Sequence, residues 1–100
     1  MKIRITENTL RIRLSDSDIR QINTGQPLSI SLPMSTQDFT IVLQSGQNPI
    51  AYTDHKITIE IEKSTLTDWL LSKENTLKQP IIYPNNRILN LIVEKDYFGT

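Results

Sequence analysis

The side chains with the clearest chemistry are four cations close to the start of the chain. They alternate with apolar residues in two neighbouring segments, as Lys2, Arg4, Arg11 and Arg13. Arginine guanidinium groups bind phosphate and carboxylate in a bidentate manner, so four cations on one surface suit a small anion or a nucleic-acid backbone. The alternative is an ordinary exposed strand face whose charge is balanced by acidic residues such as Glu60, Glu62 and Glu94. The sequence is compatible with both interpretations.

Residue types that could support catalysis or bind a metal are sparse. His55 is the only histidine and there is no cysteine, so the usual ligand set of a zinc site is missing. Asp54 precedes His55 in a predicted turn, which is weak support for an oriented general base. None of the glycines belongs to a phosphate-binding loop, and no Gly-x-Ser-x-Gly motif occurs. We therefore predict no catalytic residues, metal or cofactor, and keep an enzyme of unknown class as an open alternative.

A second group of candidate residues is apolar and aromatic. Trp69 lies among leucines in a predicted helix, and Tyr97 and Phe98 lie near the C-terminus. The ordinary explanation for the helix residues is core packing. The alternative is that Trp69, Tyr97 and Phe98 dock a second copy of the chain, because aromatic residues are enriched at protein interfaces.

The cations are positioned by strands, because apolar and polar residues alternate on both sides of a short polar loop at 6–9. The spacing predicts a hairpin in which Ile5 pairs with Leu10 and Arg4 pairs with Arg11. In that register the apolar residues share one face of the hairpin and the four cations share the other.

The rest of the chain predicts further strands and two short helices. The strands are expected at 2–5, 10–14, 28–32, 39–43, 50–53, 57–61, 81–83 and 88–94. Ser15 is predicted to cap the first helix, which ends near Gly25, and Ser64 to cap the second, which ends near Asn75. The last strand has apolar residues on both faces, which indicates a central position in a sheet.

The order of elements repeats, so the chain divides into halves of about 1–48 and 49–100. At a constant offset of 47 residues, Leu10, Ile12 and Leu14 fall on Ile57, Ile59 and Ile61. The identity between the halves is too low to establish a duplication. We predict one α+β domain over residues 1–100, with a mostly antiparallel, curved or partly closed sheet of about eight short strands and two helices, arranged as ββαββ halves. The predicted core is Ile3, Ile5, Leu10, Ile12, Leu14, Ile19, Leu28, Ile30, Ile57, Ile59, Ile61, Trp69, Leu91 and Val93.

Composition limits the functional classes. The 100 residues include 11 Lys plus Arg and 11 Asp plus Glu, so no global charge attracts nucleic acid or anionic lipid. No apolar run approaches the roughly 18 residues of a membrane span, and the N-terminus shows no signal-peptide pattern. We expect a cytoplasmic protein that does not engage the membrane.

Two resemblances add to this interpretation. Residues 2–14 and the closing Val-Glu-Lys-Asp-Tyr-Phe at 93–98 resemble a family of small uncharacterised bacterial proteins that open with a Lys/Arg-alternating hairpin. That resemblance covers most of the chain and implies no activity. Residues 10–30 are similar to swapped-hairpin DNA-binding proteins of the bacterial transition-state regulator kind, although Ser15 stands where that class usually has a proline.

The sequence does not specify a function. We expect a non-enzymatic binding or scaffolding module that self-associates, with a homodimer as the simplest form. The alternative is that the hairpin cations bind nucleic acid or a small anion, which their local clustering allows despite the zero net charge.

Overall fold

The structure is a computed structural model and describes residues 1–96. This part of the chain contains eight strands and two short helices. They are β1 (Lys2–Thr6), β2 (Thr9–Leu14), α1 (Asp16–Asn23), β3 (Leu28–Leu32), β4 (Phe39–Ser45), β5 (Ile50–Thr53), β6 (Lys56–Ile61), α2 (Lys63–Leu71), β7 (Thr76–Ile82) and β8 (Ile88–Lys95). The predicted α+β class with two ββαββ-like halves is confirmed.

The strands lie in two four-stranded mixed sheets, and neither closes into a barrel within the described residues. Sheet A has the order β1-β2-β8-β7 and sheet B the order β3-β4-β6-β5. Each sheet therefore combines a strand pair from the first half with a strand pair from the second. The two pairs meet in parallel, β2 with β8 and β4 with β6, while all other neighbours are antiparallel. The last strand, β8, is central in sheet A, as its two apolar faces predict.

The first hairpin has the register that the alternation predicts. Ile5 pairs with Leu10 and Arg4 pairs with Arg11. The turn between β5 and β6 is formed by Asp54 and His55, which both have positive φ, at 51° and 61°. Aspartate and histidine are among the non-glycine residues that most often adopt this left-handed conformation, and it matches the twist of a two-residue hairpin turn.

The two helices differ in how they begin. Ser15 caps α1 as predicted: its side chain accepts a hydrogen bond from the Asp18 backbone, and the Asp18 carboxylate accepts one from the Ser15 backbone. In contrast, Ser64 does not cap α2. That helix starts at Lys63 after Glu62, and it ends at Leu71. Ser64 is therefore the second residue of the helix and not the residue before it, and its hydroxyl donates to the Glu62 carboxylate at 2.8 Å.

One apolar cluster joins both sheets and both helices. Its buried members are Leu10, Ile12, Leu14, Ile22, Leu28, Ile41, Leu43, Ile59, Ile61, Leu66, Trp69, Ile81, Leu91 and Val93. The predicted core was wrong at two positions, because Ile5 is 68% exposed and Ile30 is 39% exposed. Both point to the inner side of their sheets but lie on the outermost strands, β1 and β3. Alternation predicts which face of a strand points inward. It does not predict whether other elements cover that face at the edge of the sheet.

Strand β7 is longer than predicted. It begins at Thr76 and contains Lys78, Gln79 and Pro80 before the apolar segment that alternation detects. Proline is tolerated because β7 lies at the edge of sheet A, where one side of the strand needs no hydrogen-bond partner. No helix within residues 1–96 is long and apolar enough to cross a membrane.

Candidate functional site

The four predicted cations lie together on the outer face of sheet A, because alternate residues of a strand share a face. Across the sheet they fall in two rows. The first row runs from Lys2 through Arg13 to Glu94, and the second runs from Arg4 through Arg11 to Ile92.

A fifth cation completes the second row. Lys78 of β7 pairs with Ile92 of β8, so it lies on the same face as Arg4 and Arg11. With neighbouring strands about 4.8 Å apart, this row is about 14 Å long between its outer Cα atoms. Sequence analysis missed Lys78 because β7 was predicted to start after it. We define the cationic face as Lys2, Arg4, Arg11, Arg13 and Lys78.

Acidic residues balance only part of this face. Glu94 Oε1 lies 3.1 Å from Arg11 Nη1, and Asp96 Oδ2 lies 3.9 Å from Lys2 Nζ. Within residues 1–96, Arg4, Arg13 and Lys78 have no carboxylate within 4 Å, and all three are exposed. The face therefore keeps an excess of about three positive charges in a chain of zero net charge.

Two of the acidic residues that could have balanced the cations lie in or directly after a strand of sheet B. Glu60 is in β6, and Glu62 follows that strand at the start of α2. The Glu60 carboxylate accepts hydrogen bonds from the Asn48 backbone, at 3.0 Å, and from the Gln44 side-chain amide, at 2.6 Å. These bonds hold the pKa of Glu60 below its ordinary value of 4.5. Glu60 thus fixes the loop between β4 and β5 and does not contact the cationic face.

The cationic face has a small depression and an uncharged end. A shallow cavity of about 280 Å³ is lined by Arg4, Thr6 and Arg11, which is slightly less than the roughly 300 Å³ of the smallest usual ligand pockets. Further along the same face, Ile82 of β7 pairs with Ile88 of β8 and both are exposed, at 70% and 46%. The outer face of sheet A is therefore cationic at one end and aliphatic at the other.

The remaining candidates show no catalytic arrangement. His55 is exposed in its turn, and it lies with Asp54 and Asp38 around an open depression of about 490 Å³ on sheet B. No hydrogen bond between His55 and a carboxylate is formed among the described side chains. The same part of the chain holds no cluster of three or more metal-ligating side chains.

The predicted aromatic interface is not exposed where the structure describes it. Trp69 is 5% exposed and packs in the core, while Tyr97 and Phe98 lie outside the described residues. The ammonium group of Lys95 lies 5.1 Å from the centre of the Trp69 ring. It also donates to the backbone carbonyls of Trp69 and Ser72, at 2.9 and 2.8 Å, and so satisfies the C-terminal end of α2.

Comparison with known proteins assigns a family to this arrangement. The model of DUF7009, a family of unknown function, matches residues 1–99. The chain belongs to this family. The predicted membership of a family without assigned activity is therefore confirmed. No curated protein and no solved structure is significantly similar to the chain.

Proposed function

We propose that this DUF7009 protein is a non-enzymatic binding module whose cationic face binds the phosphate backbone of nucleic acid. The observation that carries the proposal is the excess of exposed, unbalanced charge on one face: Arg4, Arg13 and Lys78 have no carboxylate within 4 Å among the described residues. Isolated surface cations are usual on any protein. Three of them on one sheet face, beside two more that are only partly balanced, form a local electrostatic footprint.

The shape of this surface favours a polymer over a small molecule. The five cations are spread over a face about 14 Å wide, and the cavity between Arg4 and Arg11 is shallow. Small-molecule sites are usually enclosed clefts that converge polar groups on one ligand. A phosphate backbone instead presents regularly spaced charges to an extended surface, and it releases bound counterions when cations neutralise it.

The arrangement of the strands gives a second line of support. Each sheet combines a strand pair from each half of the chain. An exchange of hairpins between two similar units is what the resemblance of residues 10–30 to swapped-hairpin DNA-binding proteins implies. The comparison with swapped-hairpin proteins is an analogy between folds, and the proposal is based on the charged face.

The proposal is tested by binding of a labelled duplex of about 20 base pairs, followed by fluorescence anisotropy between about 20 and 200 mM salt. The logarithm of the association constant should fall linearly with the logarithm of the salt concentration. The slope is expected at about −2.7 if the three unbalanced cations each contact a phosphate, and at about −4.5 if all five do.

Two triple variants with the same change in net charge make the test specific. The first neutralises the face by Arg4→Gln, Arg13→Gln and Lys78→Gln. The second neutralises exposed cations elsewhere by Arg20→Gln, Lys63→Gln and Lys73→Gln. The slope of the first variant should be shallower than that of the wild type by about 2.7, whereas the second should keep most of the wild-type slope. Absence of binding at 20 mM salt, or equal losses in both variants, would contradict the proposal.

The source and location of the protein belong to the same proposal. A bacterial origin is implied by the resemblance of residues 2–14 and 93–98. A cytoplasmic location would give the cationic face access to nucleic acid, and the lack of cysteine suits a reducing compartment. Fractionation of cells that express the chain, with detection in the soluble and membrane fractions, tests the location.

A further inference from the structure

The two sheets have four edge strands, and three of them carry features that prevent pairing with another chain. An exposed edge offers free backbone groups, and proteins commonly protect it with charges, with proline or by keeping the strand short. β1 carries Lys2 and Arg4, β7 carries Lys78 and Pro80, and β5 has only four residues. β3 is a five-residue strand, Leu-Ser-Ile-Ser-Leu, with neither charge nor proline.

The contrast is sharpest between β3 and β7, which occupy corresponding places in the two ββαββ-like halves. Ser29 and Ser31 of β3 pair with Val42 and Thr40 of the central strand β4. Lys78 and Pro80 of β7 pair with Ile92 and Asn90 of the central strand β8. At the two positions where β7 has a lysine and a proline, β3 has two serines.

The hydrogen bonds of the central strands show where the free groups of these edges point. The Asn90 N–H donates to the Asn8 carbonyl, away from β7, and so leaves Pro80 with its nitrogen on the outside of the sheet. In the same way the Thr40 N–H donates to the His55 carbonyl, away from β3. Ser31 therefore directs its N–H and C=O outward, and alternation gives Ser29 the same direction.

Apolar side chains accompany this open edge on the inner side of sheet B. Ile30 is 39% exposed and Leu32 is 58% exposed, and Met34, just beyond Pro33, is 55% exposed. Within the described residues no other strand pairs with this side of β3. An uncharged edge strand with exposed aliphatic residues is the type of edge to which a strand of another chain is commonly added.

We propose that two copies of this chain associate by antiparallel pairing of their β3 strands, which joins the two B sheets into one eight-stranded sheet. A two-fold axis at Ile30 places Ser29 opposite Ser31 of the second copy, and the outward groups then form four backbone hydrogen bonds. Ile30 faces Ile30 of the second copy in a pair without hydrogen bonds, the pair type whose side chains approach most closely. Leu28 faces Leu32 of the second copy.

The second copy is favoured over other partners because the edge is complementary to itself. The same two-fold pairing at β1, with the axis at its middle residue, would place Arg4 opposite Arg4 of the second copy, which like-charge repulsion opposes. Prolines at 27 and 33 limit the pairing to the five residues of β3. The interface is thus smaller than the roughly 1,000 Å² of a stable complex, and we expect association at about 100 µM rather than at nanomolar concentration. The contact lies on sheet B and does not depend on the cationic face.

The test is analytical ultracentrifugation of the full chain between about 1 µM and 1 mM at physiological salt. The weight-average mass of the wild type should rise toward twice the monomer mass. Ser31→Pro removes the outward backbone N–H of residue 31 in both copies, and with it two of the four intermolecular hydrogen bonds. It removes no backbone hydrogen bond within the monomer. Its matched control, Ser31→Ala, loses the same 3.0 Å contact between Ser31 Oγ and Thr40 Oγ1 but keeps the donor. Ser31→Pro should stay monomeric, and Ser31→Ala should associate like the wild type.

A second pair of variants keeps the test decisive if Ser31→Pro unfolds, which circular dichroism would show. Ile30 and Tyr52 occupy the two ends of one cross-sheet row, so Ile30→Lys and Tyr52→Lys place the same charge on opposite edges of sheet B. Only Ile30→Lys should abolish association, and mixing it with Ile30→Glu should restore a dimer. A wild type that is monomeric up to 1 mM, or association that survives Ile30→Lys, would overturn the proposal.

Discussion

Replacing Glu94 by glutamine should make the protein bind nucleic acid more tightly. Glu94 is the carboxylate of β8 that contacts the cationic face, at 3.1 Å from Arg11. Glutamine has nearly the same size and keeps a hydrogen-bonding oxygen, but it has no charge to hold the guanidinium. Arg11 then becomes free to contact a phosphate, and the net charge of the face rises by one unit.

The size of the effect follows from one additional phosphate contact. Each contact with duplex DNA steepens the salt slope by about 0.9. If the association constant at about 1 M salt is unchanged, this slope gives about 15-fold tighter binding at 50 mM salt and about fivefold tighter binding at 150 mM. The loss in stability should be small. The side chains of Arg11 and Glu94 are 42% and 15% exposed, so water and salt screen the pair. Such pairs contribute about 0.2–1 kcal/mol to the free energy of unfolding.

The assay is the anisotropy titration across salt, with chemical denaturation in parallel. Glu74→Gln is the matched control, because Glu74 is an exposed acid on the loop after α2 and, among the described residues, forms no ion pair with the cationic face. We expect Glu94→Gln to show the steeper slope and the tighter binding while it loses a little stability. Binding that weakens or stays constant in Glu94→Gln, or that strengthens equally in Glu74→Gln, would refute the assignment of the site.

Three further predictions concern stability. Lys95→Met should lower the free energy of unfolding by about 1–3 kcal/mol, because two charge-assisted bonds to the carbonyls of Trp69 and Ser72 are lost at the end of α2 while the packing of the side chain is kept. Gly46→Ala should cost about 1–2 kcal/mol, because a Cβ there would overlap the Glu60 carboxylate, which must then move. Glu60→Gln should be less stable than the wild type at neutral pH. The pKa of Glu60 is lowered in the folded state, so its contribution is complete above its ordinary value of 4.5 and disappears as the pH falls through the folded value.

Denaturant titrations measure all three effects. A Lys95→Met variant as stable as the wild type would show that Lys95 does not support the end of α2. The Gly46→Ala cost should vanish in a Glu60→Ala background, and a cost that persists there contradicts the overlap. For Glu60→Gln, the difference from the wild type should shrink between pH 7 and pH 3, and a difference that stays constant over this range refutes the role of the charge.

Local structure was readable from the residues because it depends on neighbours along the chain. Alternation at 2–14 predicted the first hairpin and its register, including the pairing of Arg4 with Arg11. The polar residues after β2 predicted the cap at Ser15. The predicted cap at Ser64 was wrong because the helix begins at Lys63, one residue before Ser64, and the exact first residue of a helix is not resolved by residue types alone.

The composition of the two sheets, in contrast, was decided only by tertiary structure. The sequence shows which residues can share a face, but the parallel pairing of β2 with β8 joins segments about 80 residues apart. That pairing brings Glu94 beside Arg11 and Lys78 into the row of Arg4, and it separates Glu60 from the cations. Together with the parallel pairing of β4 with β6, it also determines which strands become edges, and hence why Ile5 and Ile30 are exposed on faces that alternation correctly assigned to the inside. Periodicity follows from the geometry of a single strand, whereas the balance of charge on a sheet depends on which strands lie side by side.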